Sequence, residues 1–280
     1  MSEITLSIQD SLRLTQGTYQ EGIIQTEGTE LSLLKIIPFK KLSGRSHVWN
    51  KVGKLPDVPF RAIGDTIIAS KIEYESGFAS TSILGEEVIV DTAEIDSDPN
   101  FKLHLNLLTS LKVKAMQNKY ERTFINGNTN IEPAGFDGVL RLVSPKQVVN
   151  ATQDIYKDMR HLQDKVIDKL DAVFVMNKST LRILENQNRE AITFSTNEFG
   201  KPLKYFGVNP IIALSDGQMP FNTVICMNLD EDEGVCGITS ERELQVRPLG
   251  ESTESPSVVT RIEWLTGIAV LNDRALAVRF

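Results

Sequence analysis

The sequence predicts an α+β fold in which one long helix and one extended hairpin stand beside a compact unit of strands and helices. Three observations carry this prediction. Asp98 to Asn128 reads as a single helix with a start and a stop signal; residues 43–97 read as a β-hairpin with little apolar mass; and from about residue 140 apolar strands interleave with amphipathic helices. The chain of 280 residues is long enough for one large domain or two modest ones with a sizeable core.

Residues 1–42 read as an arm. Ile4, Leu6, Ile8 and Leu12 precede Gly17, Gly22 and Gly28, which weaken any continuous helix. The apolar run Leu31 to Phe39 follows, and such a segment is better held by packing on something else than by a core of its own.

In residues 43–97, Ser46–Val52 alternates loosely, Pro56 and Pro59 mark a bend, and the return strand carries Ile67, Ile68, Ile72, Tyr74 and then Val88, Ile89 and Val90. So long a hairpin is an aggregation hazard unless a partner covers it.

Asp98 is a candidate N-cap and Pro99 suits the first helical position, where a missing N–H costs nothing. Apolar residues recur at Phe101, Leu105, Leu108, Leu111, Ala115, Tyr120 and Phe124, and Ile125-Asn126-Gly127-Asn128 ends the helix with residues that tolerate φ > 0. At 1.5 Å per residue this is roughly 40 Å of helix, a strut more than an active site.

After a turn-rich connection at 131–139, the stripe Ile155, Met159, Leu162, Val166 and Leu170 predicts a helix over 152–170. Ala172–Met176 reads as a buried strand, Asn177 as the cap of a helix through Leu184, and Thr223–Met227 as a second buried strand. Glu243–Val246, Val258–Glu263, Ile268–Leu271 and Leu276–Phe280 read as closing antiparallel strands.

Composition excludes several classes. No run approaches the roughly 20 apolar residues of a membrane helix, and the N-terminus lacks a basic flank followed by an apolar core, so the expectation is a soluble chain with no membrane partner. Cys226 and Cys236 are too few for a disulfide framework and read as buried free thiols. A net charge of −7 argues against a protein that grips nucleic acid. The charge is blocked: residues 40–62 and 101–125 are basic, whereas 63–98 and 227–254 are acidic. Alternating blocks suit surfaces that meet complementary surfaces.

No catalytic chemistry is legible. His47, His104 and His161 lack partners at metal-ligand spacing, and Asp230–Glu233 reads as a solvated charge run. A P-loop, Gly-x-Gly-x-x-Gly and Gly-x-Ser-x-Gly are all missing from the sequence. The expectation is a protein that is not an enzyme and holds neither cofactor nor metal.

The order of parts, with particular segments, resembles the major capsid proteins of tailed bacteriophages with the Hong Kong 97-type fold. Leu33–Phe39 looks like the arm-to-hairpin junction and Pro59-Phe60-Arg61-Ala62 like a hairpin segment. Lys112-Val113-Lys114-Ala115, Phe124–Gly127 and Gly135-Phe136-Asp137-Gly138 look like the helix end and the loop after it. Gly267–Val270 and Ala275–Val278 look like the final strands.

The resemblance implies an N-arm at 1–42, an extended loop at 43–97, a peripheral domain at 98–139 and 241–280 built on a spine helix, and an axial α/β domain at 140–240. It implies shell building: hexamers and pentamers forming an icosahedral procapsid in the host cytoplasm, which expands into a virion capsid as double-stranded DNA is packaged. Partners would be further copies of the chain, a scaffolding protein, a portal and a decoration protein, with DNA bound without sequence specificity. A net acidic subunit would also keep that DNA from sticking to the wall. Methionine at position 1 favours a separate scaffolding protein over a cleaved leader, and no lysine–asparagine cross-link is expected. Candidate inter-subunit contacts are Trp49, Phe60, Arg61, Glu73, Glu75, Lys112 and Lys114, with the acidic return strand of the hairpin expected on the basic face of a neighbour's spine helix. The alternative is an encapsulin shell enclosing a cargo enzyme, although encapsulins resemble one another in beginning with an amphipathic helix that this N-terminus lacks. A soluble α/β enzyme with a dimerising hairpin is a third reading, and it has no catalytic residues to stand on.

Overall fold

The computed structural model describes residues 33–54, 58, 60, 62–64, 72–97, 101–196, 202–253 and 255–280. Most of the expected arm, residues 1–32, and the expected caps Asp98 and Pro99 lie outside the described residues.

The described chain enters through a 3₁₀ turn, Leu33–Lys35, that buries Leu33, and continues into β1 (Phe39–Leu42). Strands β2 (Ser46–Lys54) and β3 (Glu73–Ser80) pair antiparallel as a two-stranded hairpin. Strand β4 (Ser82–Asp91) leads through the short helix α1 (Thr92–Ser97) to the long helix α2 (Phe101–Asn126). Then follow α3 (Val139–Leu142), β5 (Val148–Val149), α4 (Ile155–Lys165), β6 (Ala172–Asn177), α5 (Lys178–Gln187), β7 (Ile192–Thr196), β8 (Pro202–Phe206), β9 (Asn209–Leu214) and β10 (Val224–Asn228). The long strands β11 (Val235–Glu251) and β12 (Ser257–Val270) and the short β13 (Leu276–Arg279) close the chain.

Two larger sheets organise these elements. One has the order β5-β13-β10-β6-β9-β8-β7, the other β1-β11-β12-β4. The central strands of the first read as unbroken apolar runs because both of their faces are covered. Phe174, Met176, Cys226 and Ala277 point to one side, where Met159 and Leu162 of α4 and Leu181 and Leu184 of α5 meet them. Val173, Val175, Ile225, Met227, Leu276 and Val278 point to the other, into a core shared with Tyr120 and Phe124 of α2 and Trp264 of β12. This is the period-2 alternation of a strand, and each large side chain so buried contributes about 1.5–3 kcal/mol. Asn177 caps α5 by accepting from the Thr180 N–H.

Helix α2 spans about 39 Å by its rise. Its second half carries the core contacts through Met116, Tyr120, Phe124 and Ile125, with the Tyr120 ring 4.7 Å from Trp264; Ala115, expected on the apolar stripe, is exposed. The helix ends as expected near Gly127, but not through a left-handed residue: among the described residues positive φ occurs at Asn222, Gly64, Gly207 and Gly250. A Cβ at Gly127 would lie 2.3 Å from the Phe136 carbonyl, so the glycine serves the close return of the following loop.

Four expectations need correction. The hairpin does not extend to residue 97; β4 leaves it and pairs with β12 from Ser82–Thr266 to Asp91–Ser257, because Val88 and Val90 find a core there. The helix expected over 152–170 stops at Lys165: Val166 is extended and still buried, while Leu170 is 74% exposed. Backbone groups beyond it are taken by partners far along the chain, Ile167 N–H by the Arg274 carbonyl and the Lys169 carbonyl by the Asn209 amide. The strand expected at 243–246 is the middle of a single strand of 17 residues. Finally, β13 does not join the other closing strands; it inserts between β5 and β10.

Candidate assembly interface

The hairpin is where sequence and structure most directly present a surface. Its register puts Val48 opposite Phe78, and Val52 opposite Tyr74, on one face, with His47–Ala79, Trp49–Gly77 and Lys51–Glu75 on the other. The second face sits on the body of the molecule. The Trp49 indole N–H donates to the Leu271 carbonyl at 3.0 Å, and the His47 ring stacks on the indole at 5.5 Å. Lys51 donates to Asp273 at 2.7 Å and lies 3.9 Å from Glu75. Burial together with the Lys40 charge holds the His47 pKa below its ordinary value, so its neutral form is favoured here.

Gly77 permits this seat. A Cβ there would stand 2.2 Å from Trp49 Cε2, inside the indole itself. Beside the seat lies a cavity of about 320 Å³ lined by Trp49, Phe78, Phe136, Leu142, Ile268 and Asp273 among others.

The opposite face is apolar and open. Val48, Val52, Tyr74 and Phe78 are all exposed, broken only by the Ser76–Asn50 hydrogen bond at 2.8 Å. Toward the tip, Phe60 and Ile63 are fully exposed. Arg61 lies outside the described residues, and Glu73 is placed only by its backbone register opposite Lys54.

The lysines of α2 part company. Lys112 Nζ bonds Glu86 at 2.6 Å and the Glu87 carbonyl at 2.8 Å, both on β4 of the same chain. The acidic return segment and the basic helix therefore meet within the chain, where Lys112 takes both a carboxylate and a backbone carbonyl of β4. Lys114 is exposed. The anchors Leu271, Asp273 and Gly77 were not legible as site residues, because the register that sets Gly77 against Trp49 and the contacts with Leu271 and Asp273 exist only in the folded chain.

Burial pushes the Cys226 thiol up, and the Cys236 thiol up to about 11, so both buried, unpaired thiols stay protonated. Among the described residues no three His, Cys, Asp or Glu side chains form a metal-binding group, and no helix is long and apolar enough to cross a membrane.

No protein-family model matches the chain, and no curated protein matches it. Solved structures do. The chain is similar to the SrpI encapsulin of Synechococcus elongatus PCC 7942, with a TM-score of 0.73 at 17% identity over 98% of this chain and 95% of that one. It is similar to the capsid of a native GTA particle, with a TM-score of 0.71 at 13% identity over 95% of each chain. A structure from Microbacterium phage Oxtober96 matches with a TM-score of 0.64 at 16% identity over 98% of both chains. The long helix, the hairpin and the two sheets are thus those of the Hong Kong 97-type capsid fold, and the match runs essentially from end to end.

Proposed function

We propose that this chain is a shell subunit and, within that class, the major capsid protein of a tailed bacteriophage, assembling as hexamers and pentamers around packaged double-stranded DNA. The observation that carries it is the hairpin: a two-stranded element whose outer face is apolar and open, in a chain with the capsid fold over its whole length. Such a face is stable in water only when another surface covers it, and unlike surfaces meeting head to tail close into rings.

In this reading residues 1–42 are the N-arm, and the hairpin is the extended loop. Helix α2 with the four-stranded sheet is the peripheral domain. The seven-stranded sheet with α4 and α5 is the axial domain, taking β13 with it. A scaffolding protein, a portal and a decoration protein are the expected partners, and the virion, assembled in the host cytoplasm, is the expected location. The proposal gives the chain no catalytic role.

A second reading, an encapsulin around a cargo enzyme, is favoured by the likeness to the SrpI encapsulin. Sedimentation and electron microscopy of the purified chain test the class: closed shells, or rings of five and six, are expected, and a monomer or dimer that persists with scaffolding protein supplied overturns it. Particles from the source culture then decide between the readings, with nuclease-protected DNA expected for the capsid and a co-purifying enzyme for the encapsulin.

A further inference from the structure

Helix α2 contains a single acidic residue, Glu121, among several lysines and an arginine. Glu121 is buried and turned toward the start of the described chain, where it accepts the Leu34 N–H at 3.1 Å. Lys112 is turned onto β4 and held there by Glu86 and the Glu87 carbonyl. At 3.6 residues per turn Lys114 stands about 200° around the axis from Lys112, and Asn118, Arg122 and Asn126 follow it at i+4 steps along one flank. Lys114, Arg122 and Asn126 are exposed, as are Gln117 and Lys119 beside them. Among the described residues the Lys114 and Arg122 side chains make no hydrogen bond or ion pair, whereas Lys119 reaches Glu132 at 2.7 Å. From Lys114 to Asn126 no acidic and no large apolar side chain is exposed. A groove of about 290 Å³ continues the flank past the helix end, lined by Arg122, Thr123, Asn126 and Asn128, with Glu132, the partner of Lys119, as its acidic member.

Resting on the capsid reading, we propose that this flank of α2 faces the packaged DNA and takes its backbone phosphates, with Lys114 and Arg122 as the charged contacts and Gln117 and Asn118 as neutral donors. Cations and amides without an apolar centre are the chemistry of phosphate contact, which carries no sequence preference. A protein partner would instead need an apolar core to bury, and the flank offers none. Lys114 and Arg122 stand about 12 Å apart along the helix, a span of about three phosphate steps of one strand. Two unpaired cations bind weakly in one subunit, and their repetition over the wall multiplies the effect. The net charge of −7 elsewhere on the chain keeps the DNA from being held fast.

The test is ultraviolet cross-linking of particles from the source culture, followed by nuclease and protease digestion and mass spectrometry. Nucleotide adducts are expected on the peptides that span Lys114 to Arg122. Adducts confined to other segments, in particles that hold nuclease-protected DNA, reject this face and leave the capsid reading standing. Particles without DNA reject the capsid reading, and the face with it. A second measurement uses the unassembled chain and short duplexes of two unrelated sequences, read by fluorescence anisotropy against salt. The wild type should bind both alike, and K114Q/R122Q should reduce the slope of log K against log salt concentration by about 2. K157Q, which removes an exposed lysine on α4, should leave the slope unchanged. An unchanged slope in K114Q/R122Q, with circular dichroism like that of the wild type, overturns the proposal. So does a loss of shell assembly by that variant with its DNA binding intact, which would make the flank a protein contact.

Discussion

The Arg279 guanidinium meets the Asp158 carboxylate at 2.6 Å, with each side chain only 1% exposed. Each nitrogen of the guanidinium and both oxygens of the carboxylate have a partner. Arg279 also donates to the Asn222 carbonyl at 2.6 Å, its side-chain oxygen at 2.9 Å and the Thr152 carbonyl at 2.9 Å. Asp158 accepts from the Thr152 N–H and hydroxyl, each at 2.8 Å. One contact set thus ties β13 to α4 and to the loops at 152 and 222. Removing one partner leaves the other buried and uncompensated, so Asp158→Ala should cost about 3–5 kcal/mol. Urea unfolding midpoints of the variant and wild type measure this, and a loss under about 1 kcal/mol contradicts it.

The same pair predicts an acid response. Burial works against the charged form of Asp158, but the Arg279 and Thr152 hydrogen bonds and the Arg279 charge outweigh it and hold its pKa below the ordinary value. A carboxylate with a depressed folded pKa contributes stability above its unfolded pKa, about 3.9, and loses it as pH falls through the folded value. Wild-type stability should therefore fall below about pH 4, with a smaller drop in D158N. Chemical unfolding across about pH 3–7 reads it, and parallel curves for the two proteins would refute it.

At the hairpin root, Gly77→Ala should evict the Trp49 indole and break its bond to the Leu271 carbonyl, because the new Cβ falls 2.2 Å from the ring. The expected loss is about 1–3 kcal/mol. Tryptophan emission should shift to the red, with Trp49→Phe as the control for the buried Trp264. Unchanged emission in G77A would mean that the indole stays seated.

Lys112 and Lys114 should separate on reversal, contrary to what their adjacency in sequence suggests. Lys112→Glu brings a carboxylate to Glu86 and strips the Glu87 carbonyl, costing about 1 kcal/mol of subunit stability. Lys114→Glu, on an exposed position, should leave stability within about 0.5 kcal/mol. Thermal melts of the two single variants decide it.

Local chemistry made much of this fold legible in the sequence. The buried strand at 172–176, its Asn177 cap and the strand at 223–227 come from unbroken apolar runs and a side chain that reaches its own helix. The long helix and the start of the hairpin followed from periodicity and turn residues in the same way. These signals work because their partners lie within a few residues.

By itself, then, the sequence determined the element types, the blocked charge and the likeness to a shell protein. Tertiary structure alone decided which edges pair and which charges are consumed. It set β4 beside β12, and β13 between β5 and β10; it joined Arg279 to Asp158 across 121 residues, and gave Lys112 to Glu86. The physical reason is that a strand's alternation specifies a buried face but not the strand beside it, and a charge carries no record of its partner. Those choices are made by which apolar faces can share a core, and the residues left open once that core is closed, Lys114, Arg122 and the outer face of the hairpin, become visible only then.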